Sequence, residues 1–260
     1  MKIDFIKKIK ISKMDSKDNS KIKIAVHTQI ENTEMYGGVM VLHKLKDILI
    51  SLGYDAFSVH QNSDNLNRID ENTIVVYSEN VPGNPFNAKH IVRYVMYYKD
   101  VNVYDKNDFI IYYDECFKKE LAIGYNEYTV RIYDTDLDFW KNHNKNRNGS
   151  CYSYRKNTNV EKILHEQDSI QINYHTSFGE LLGLFNTKKR FYCYDNNTFL
   201  AAFSTLCGCE TIVDKIPHEF GNYINDEKGM REYIQNQLVL QEENCKKIFS
   251  DIASKVTIKK

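Results

Sequence analysis

Asp195-Asn196-Asn197-Thr198 is the polar run whose place in the chain offers the clearest chemistry. It lies between a short aromatic, β-prone stretch, Phe191 to Tyr194, and the apolar residues Phe199, Leu200, Ala201, Ala202, Phe203 and Leu206. That spacing predicts a strand, a polar turn able to cap a helix, the helix itself, a left-handed residue at Gly208 and a second strand, Thr211-Ile212-Val213. In such a βαβ unit, free backbone N–H groups and the helix dipole converge at the carboxyl end of a strand. Open α/β sheets bind phosphate-bearing ligands there. Spacing alone allows a plain βα connection equally well. Asp195 suits a helix cap, worth roughly 1 kcal/mol, as readily as a ligand contact, and the two roles can coexist.

Three other groupings invite chemistry. Gly37-Gly38 follows the β-type run Lys21 to His27 and the polar loop Thr28 to Tyr36. A glycine pair lets backbone approach a ligand, or simply lets the chain turn. Asp134-Thr135-Asp136 follows the strand candidate Tyr128 to Tyr133; two carboxylates there can bind Mg or Mn, while Asp138 nearby makes an acidic turn the competing reading. Histidines 27, 43, 60, 90, 143, 165, 175 and 218 show no HxxxH or HExxH spacing and no evident nucleophile partner, which ranks hydrolase and metalloprotease chemistry low. Cysteines 116, 151, 193, 207, 209 and 245 lack CxxC pairing; Cys207-Gly-Cys209 is too close and too isolated for a zinc site, and reduced thiols are expected.

The elements that must position these residues alternate. Lys21 to His27 reads as a strand, Val39 to Leu52 as a helix stopped by Gly53, and Tyr54 to His60 as a strand. Asn72 to Tyr77 is a buried-type strand ending at Ser78-Glu79. After the rigid loop Pro82 to Pro85, a helix is expected over Asn87 to Tyr98 with Ile91, Val92, Tyr94 and Val95 inward. Strands follow at Phe109 to Tyr113 and Tyr128 to Tyr133, so a parallel sheet covered on both faces is expected. Asn142 to Gly149 has no apolar residue and reads as a linker. Beyond it come a strand at Ser150 to Tyr154, a helix at Val160 to His165, a strand at Ser169 to Asn173, a helix at Phe178 to Phe185, and the unit from Arg190 to Pro217. Asp226 to Ser254 reads as one or two helices able to lie across both halves. The expected fold class is α/β, with two Rossmann-like domains at 21–141 and 150–220, a flexible leader at 1–20, the linker at 142–149 and a C-terminal helical segment at 221–260.

The totals bound the function. At 260 residues there is room for one large domain or two of roughly 100–130 residues, and a 42% hydrophobic share supports a real core. Thirty-five basic and 35 acidic side chains cancel, which gives no support to nucleic-acid binding. No run of 18 apolar residues and no signal-peptide pattern occurs, so a soluble cytoplasmic protein is expected. Ile3, Phe5, Ile6 and Ile9 among lysines make residues 1–13 either a disordered leader or a peripheral contact with the cytoplasmic face of an anionic membrane.

Four segments together resemble GT-B glycosyltransferases, in particular bacterial or viral nucleotide-sugar transferases of polysaccharide assembly. They are Gly37 to Tyr54 (GGVMVLHKLKDILISLGY), Tyr77 to Met96 (YSENVPGNPFNAKHIVRYVM), Cys151 to Asn157 (CYSYRKN) and Tyr194 to Pro217 (YDNNTFLAAFSTLCGCETIVDKIP). The resemblance implies a nucleotide-diphosphate sugar held mainly by the C-terminal half and a glycan or lipid-linked acceptor against the N-terminal half. Arg155 and Lys156 match the basic pair that neutralises the donor diphosphate. Asp195, Asn196, Asn197 and Thr198 would contact phosphates or ribose, and Gly37 and Gly38 match the glycine loop beside the reacting sugar. Fixed cations and helix N–H groups can stabilise the leaving diphosphate without a metal, so no cofactor is implied. Glu79 is the favoured catalytic base and His27 a second candidate, both at strand ends; a retaining enzyme would need neither.

The chain departs from the family in being shorter than most GT-B enzymes and in lacking a clear acidic pair near the donor. Those departures keep open a non-catalytic module that binds a nucleotide sugar or a partner enzyme. A metal-dependent GT-A-type transferase using Asp134 and Asp136 is a lesser alternative. Nucleic-acid binding ranks third, on neutral charge and the lack of a recognised motif.

Overall fold

The computed structural model describes residues 22–28, 37–97, 104–118, 126–154, 162–195, 198–214 and 220–258. The basic stretch 1–13 therefore lies outside the described residues. Lys23–His27 (β1) pairs in parallel with Asp55–Val59 (β2) on one side and with Thr73–Ser78 (β3) on the other. His90–Val95 (β4), Phe109–Tyr112 (β5) and Asn126–Thr129 (β6) follow in register, giving an all-parallel sheet of order β2-β1-β3-β4-β5-β6. The helix Gly37–Ser51 (α1) connects β1 to β2 and ends at Gly53, whose φ of 87° no β-carbon favours.

Strand alternation divides this sheet into two cores. Ile24, Val26, Ile74, Val76, Val92 and Tyr94 face Leu42, Leu45, Ile48 and Leu49 of α1. Ala25, Val75 and Tyr77 face the other way, against Phe57, Val59, Val81 and Ile91. Every residue of β3 is buried, as is all of β4 after His90. That burial corrects the expected helix over Asn87 to Tyr98. A contiguous apolar run carries no periodicity that separates a buried helix from a strand covered on both faces. The β-branched and aromatic sequence HIVRYV takes the strand.

The second sheet has order β10-β9-β7-β8, again all parallel, from Ser150–Ser153 (β7), Ile170–Gln171 (β8), Arg190–Cys193 (β9) and Glu210–Val213 (β10). Cys151, Phe191 and Cys193 bury one face beneath Phe178–Thr187 (α2) and Phe199–Leu206 (α3). A capping box opens α2, with Ser177 Oγ accepting the Glu180 N–H while Glu180 accepts the Ser177 N–H at 2.7 Å. Arg147 ties the two helices together at one end, donating to the carbonyls of Phe185, Lys188 and Cys207 at the C-termini of α2 and α3. Gly208 adopts φ 74°, as its place after α3 predicts, and a Cβ there would also strike Asn142 at 2.4 Å.

The opposite face carries tyrosines. Tyr152 stacks on His165 with centroids 3.7 Å apart, and Tyr194 Oη accepts the N–H groups of Leu164 and His165 at 2.7 and 3.1 Å. Those bonds divert the backbone from the helix expected over Val160 to His165; its described residues, 162–165, are not helical.

One continuous helix, Glu227–Ile258 (α4), ends the described chain. Asp226 opens it by accepting the Gly229 N–H at 2.9 Å. Its first half contributes Met230 and Ile234 to the core of the second sheet, and its second half contributes Cys245, Phe249, Ile252 and Val256 to that of the first. All six cysteines are free thiols, five of them buried. No helix among the described residues is long and apolar enough to cross a membrane.

Inside the first sheet, Arg93 Nε meets Asp108 Oδ2 at 3.0 Å with both side chains at or below 5% exposure. The guanidinium also donates to the carbonyls of Val81 and Gly83, tying the β3–β4 loop down. Arg93→Leu leaves a buried carboxylate alone and is expected to lower stability by about 3–5 kcal/mol in urea unfolding. Adding Asp108→Leu to that variant should restore part of the loss.

Candidate functional site

Both sheets change winding direction at one place. In the first, the chain goes from β1 out to β2 and returns to β3 on the other side; in the second it goes from β7 to β8 and returns to β9. Crevices at such reversals, outside the carboxyl ends of the strands, are where open parallel sheets bind ligands.

At the second reversal, β7 ends in Ser153 and β9 leads into Asp195. Ser153 Oγ donates to Asp195 Oδ2 at 3.0 Å, and the two side chains are 0% and 1% exposed. Thr198 is the N-cap of α3: its backbone is extended and its hydroxyl accepts the Leu200 N–H. The structure thus brings together two of the sequence-predicted residues, Asp195 and Thr198, and adds Ser153. Ser153 was legible only through register, because it opposes Cys193 across the β7–β9 ladder. Arg155, Lys156, Asn196 and Asn197 lie outside the described residues. On the tyrosine face, Glu166 accepts from Ser150, Tyr192 and Arg190, and the Ser150 hydroxyl first among these holds its carboxyl down at about 2.

At the first reversal, Gly38 and Glu79 meet around Met96, just beyond β4. The Met96 N–H donates to Glu79 Oε2 at 3.2 Å, so this carboxylate already has a structural task. A Cβ on Gly38 would touch the Met96 methyl at 3.4 Å, and one on Gly37 would meet nothing within 4 Å. Packing among the described residues therefore does not require the glycine pair that opens α1. On the other face of the sheet His27, 7% exposed, clusters with the rings of Tyr77 and Phe86, at centroid distances of 5.6 and 5.3 Å. Its Nδ1 is buried and makes no hydrogen bond with any described residue. Burial, and then the nearby His60, push its pKa below the ordinary histidine value, which favours the neutral ring.

The two carboxylates of Asp134-Thr135-Asp136 serve different ends. Asp136 Oδ1 accepts the N–H groups of Asp138 and Phe139 at 2.8 and 3.2 Å, which is the acidic turn. Asp134 is half-buried toward α1; burial raises its pKa, against Lys44, which lowers it. Among the described residues no group of three or more His, Cys, Asp or Glu side chains converges as a metal site would require.

Two outcomes check this geometry. Gly38→Ala should keep the fold and raise stability by about 0.5–1 kcal/mol through helix propensity, measured by thermal or urea unfolding. Because folded His27 refuses a proton that the unfolded chain accepts near pH 6.5, its contribution is intact above that pH and is lost as pH falls below it. His27→Phe should accordingly lose less stability than the parent between pH 7 and 5.

No family model matches the chain, and no curated protein matches it.

Proposed function

We propose that the protein is a GT-B-type glycosyltransferase that moves a sugar from a nucleotide-diphosphate donor to a glycan or lipid-linked acceptor without a metal. The observation that carries this reading is the buried Ser153–Asp195 pair beside the N-terminus of α3, at the winding reversal of an all-parallel sheet. On this reading each sheet is the centre of a Rossmann-like domain, and α4 joins the two. Backbone N–H groups at the start of α3, with Thr198 and Asp195, hold the donor's phosphates or ribose. Arg155 and Lys156 supply the positive charge that the departing nucleoside diphosphate needs. The acceptor lies along the carboxyl edge of the first sheet, near Gly37, Gly38 and Glu79.

A binding module without turnover is the second reading. It is favoured by the Met96 N–H bond that occupies Glu79, the favoured base. The GT-A alternative is weakened because Asp136 is engaged in its own turn.

Thermal unfolding with UDP, GDP, dTDP, CDP and their sugars, with and without manganese or chelator, tests the proposal. A ligand at about 100 times its dissociation constant adds roughly 2.7 kcal/mol, which should raise the midpoint by several degrees. One nucleotide class should stabilise the protein regardless of chelator. The shift should vanish in Asp195→Ala and in Arg155→Ala with Lys156→Ala, each compared with its own ligand-free midpoint. Absence of any nucleotide shift would overturn the donor site. Nucleotide binding without sugar release or transfer would select the binding module.

A further inference from the structure

Farther along the carboxyl edge of the first sheet, the end of β6, the residues just past β5 and β6 and one face of α4 line a pocket of about 210 Å³ that is open to solvent. Glu115 and Arg131 line the sheet side; Gln237, Leu240, Gln241 and Asn244 line the helix side. Gln241 is the informative residue. It is 3% exposed, and its Oε1 accepts the Tyr133 N–H at 2.7 Å. That bond fixes which end of the amide is oxygen and turns Nε2 away from Tyr133. Nε2 makes no hydrogen bond with any described residue and is not itself sealed from solvent, so a donor on an otherwise buried side chain faces the pocket. Gln237 and Asn244, four residues before and three after, add two amides on the same helix face, likewise without hydrogen bonds to described residues.

The charge in the cavity is arranged against anions. Arg131 is already paired with Asp114 and also donates to Tyr233 Oη at 3.3 Å, while Glu115 accepts the Thr129 hydroxyl. The rest of the lining is three carboxamides, the Glu115 carboxylate, Thr129 and the apolar Val130 and Leu240. Planar amides and a carboxylate match the paired donors and acceptors of neighbouring hydroxyl groups, and the volume falls below the roughly 300–1,000 Å³ of pockets for larger ligands. One neutral sugar ring fits that description; a nucleotide does not.

We infer that this cavity holds one neutral sugar residue of the acceptor glycan. Only the word acceptor rests on the glycosyltransferase reading; the sugar contact stands on the cavity itself and needs no donor. Removal of Gln237 and Asn244 takes away two of the three amides without touching the buried Gln241–Tyr133 bond.

The test is side-chain amide 15N–1H NMR of the full chain, titrated with glucose, galactose, mannose, N-acetylglucosamine and, for charge, glucuronate. At least one neutral sugar should shift the Gln241 amide pair in a saturable way. In the Gln237→Ala/Asn244→Ala double variant its affinity should fall roughly tenfold or more. Nucleotide-induced thermal shifts should be unchanged in that variant. No movement of the Gln241 resonances with any neutral sugar, a response to glucuronate alone, or full binding by the double variant would overturn the inference. Sugar binding without any nucleotide binding would leave this site standing and remove the transferase reading. The reverse result would remove only this site.

Discussion

Two all-parallel sheets must each be covered on both faces, and one 32-residue helix at the end of the described chain serves both of them. At 1.5 Å per residue α4 runs about 48 Å, long enough to reach from one core to the other. Its apolar residues divide accordingly, Met230 and Ile234 on the second sheet, Phe249 and Ile252 on the first. Parallel sheets with a bare apolar face are rarely stable, so the rest of the structure depends on this helix being unbroken. Its central turn does polar work as well. There Gln241 satisfies the buried Tyr133 N–H where the chain leaves the first sheet for the second. A backbone donor at that crossing would otherwise be buried without a partner.

Polar groups inside the molecule are used in the same way, to fix where irregular chain meets regular chain. Arg93 links β4 to Asp108 and to the loop after β3. Arg147 gathers three carbonyls at the ends of two helices. Asn225, at φ 65°, accepts the Thr211 N–H and donates to the Thr211 carbonyl, so its amide extends the β10 edge in place of a further strand. Each anchor satisfies backbone groups that loops, helix ends and sheet edges would leave open. They leave the carboxyl edges as the places where side chains remain available for ligands.

Those edges differ in character. At the second sheet Asp195 and Ser153 are buried together next to the N-terminus of α3. At the first sheet a neutral buried histidine, a glycine pair with open space at Gly37 and an amide-lined cavity follow one another along the strand ends. On the proposed reading, the acceptor would lie at the first edge and the phosphate-bearing donor at the second. That division of labour is the physical content of the transferase proposal.

Much of the scaffold was legible in the residues. Alternation and punctuation placed β1, α1, β2, β3, β9, α3 and β10 nearly to the residue, because capping at Thr198 and the left-handed turns at Gly53 and Gly208 are local effects. The same local signal marked Asp195 and Thr198. It misread His90 to Val95, since only the sheets's two covered faces distinguish that run from a helix. It also could not show that Glu79 bonds Met96, that Ser153 bonds Asp195, or that Gln241 stands in a cavity wall. Those pairs are 17, 42 and, for Gln241 and Tyr133, 108 residues apart in the chain. The sequence by itself determined which segments become strands and helices, through propensity and periodicity that act within a few residues. Only the tertiary structure decided which side chains share an edge, because strand register and helix docking bring together residues that no local spacing connects.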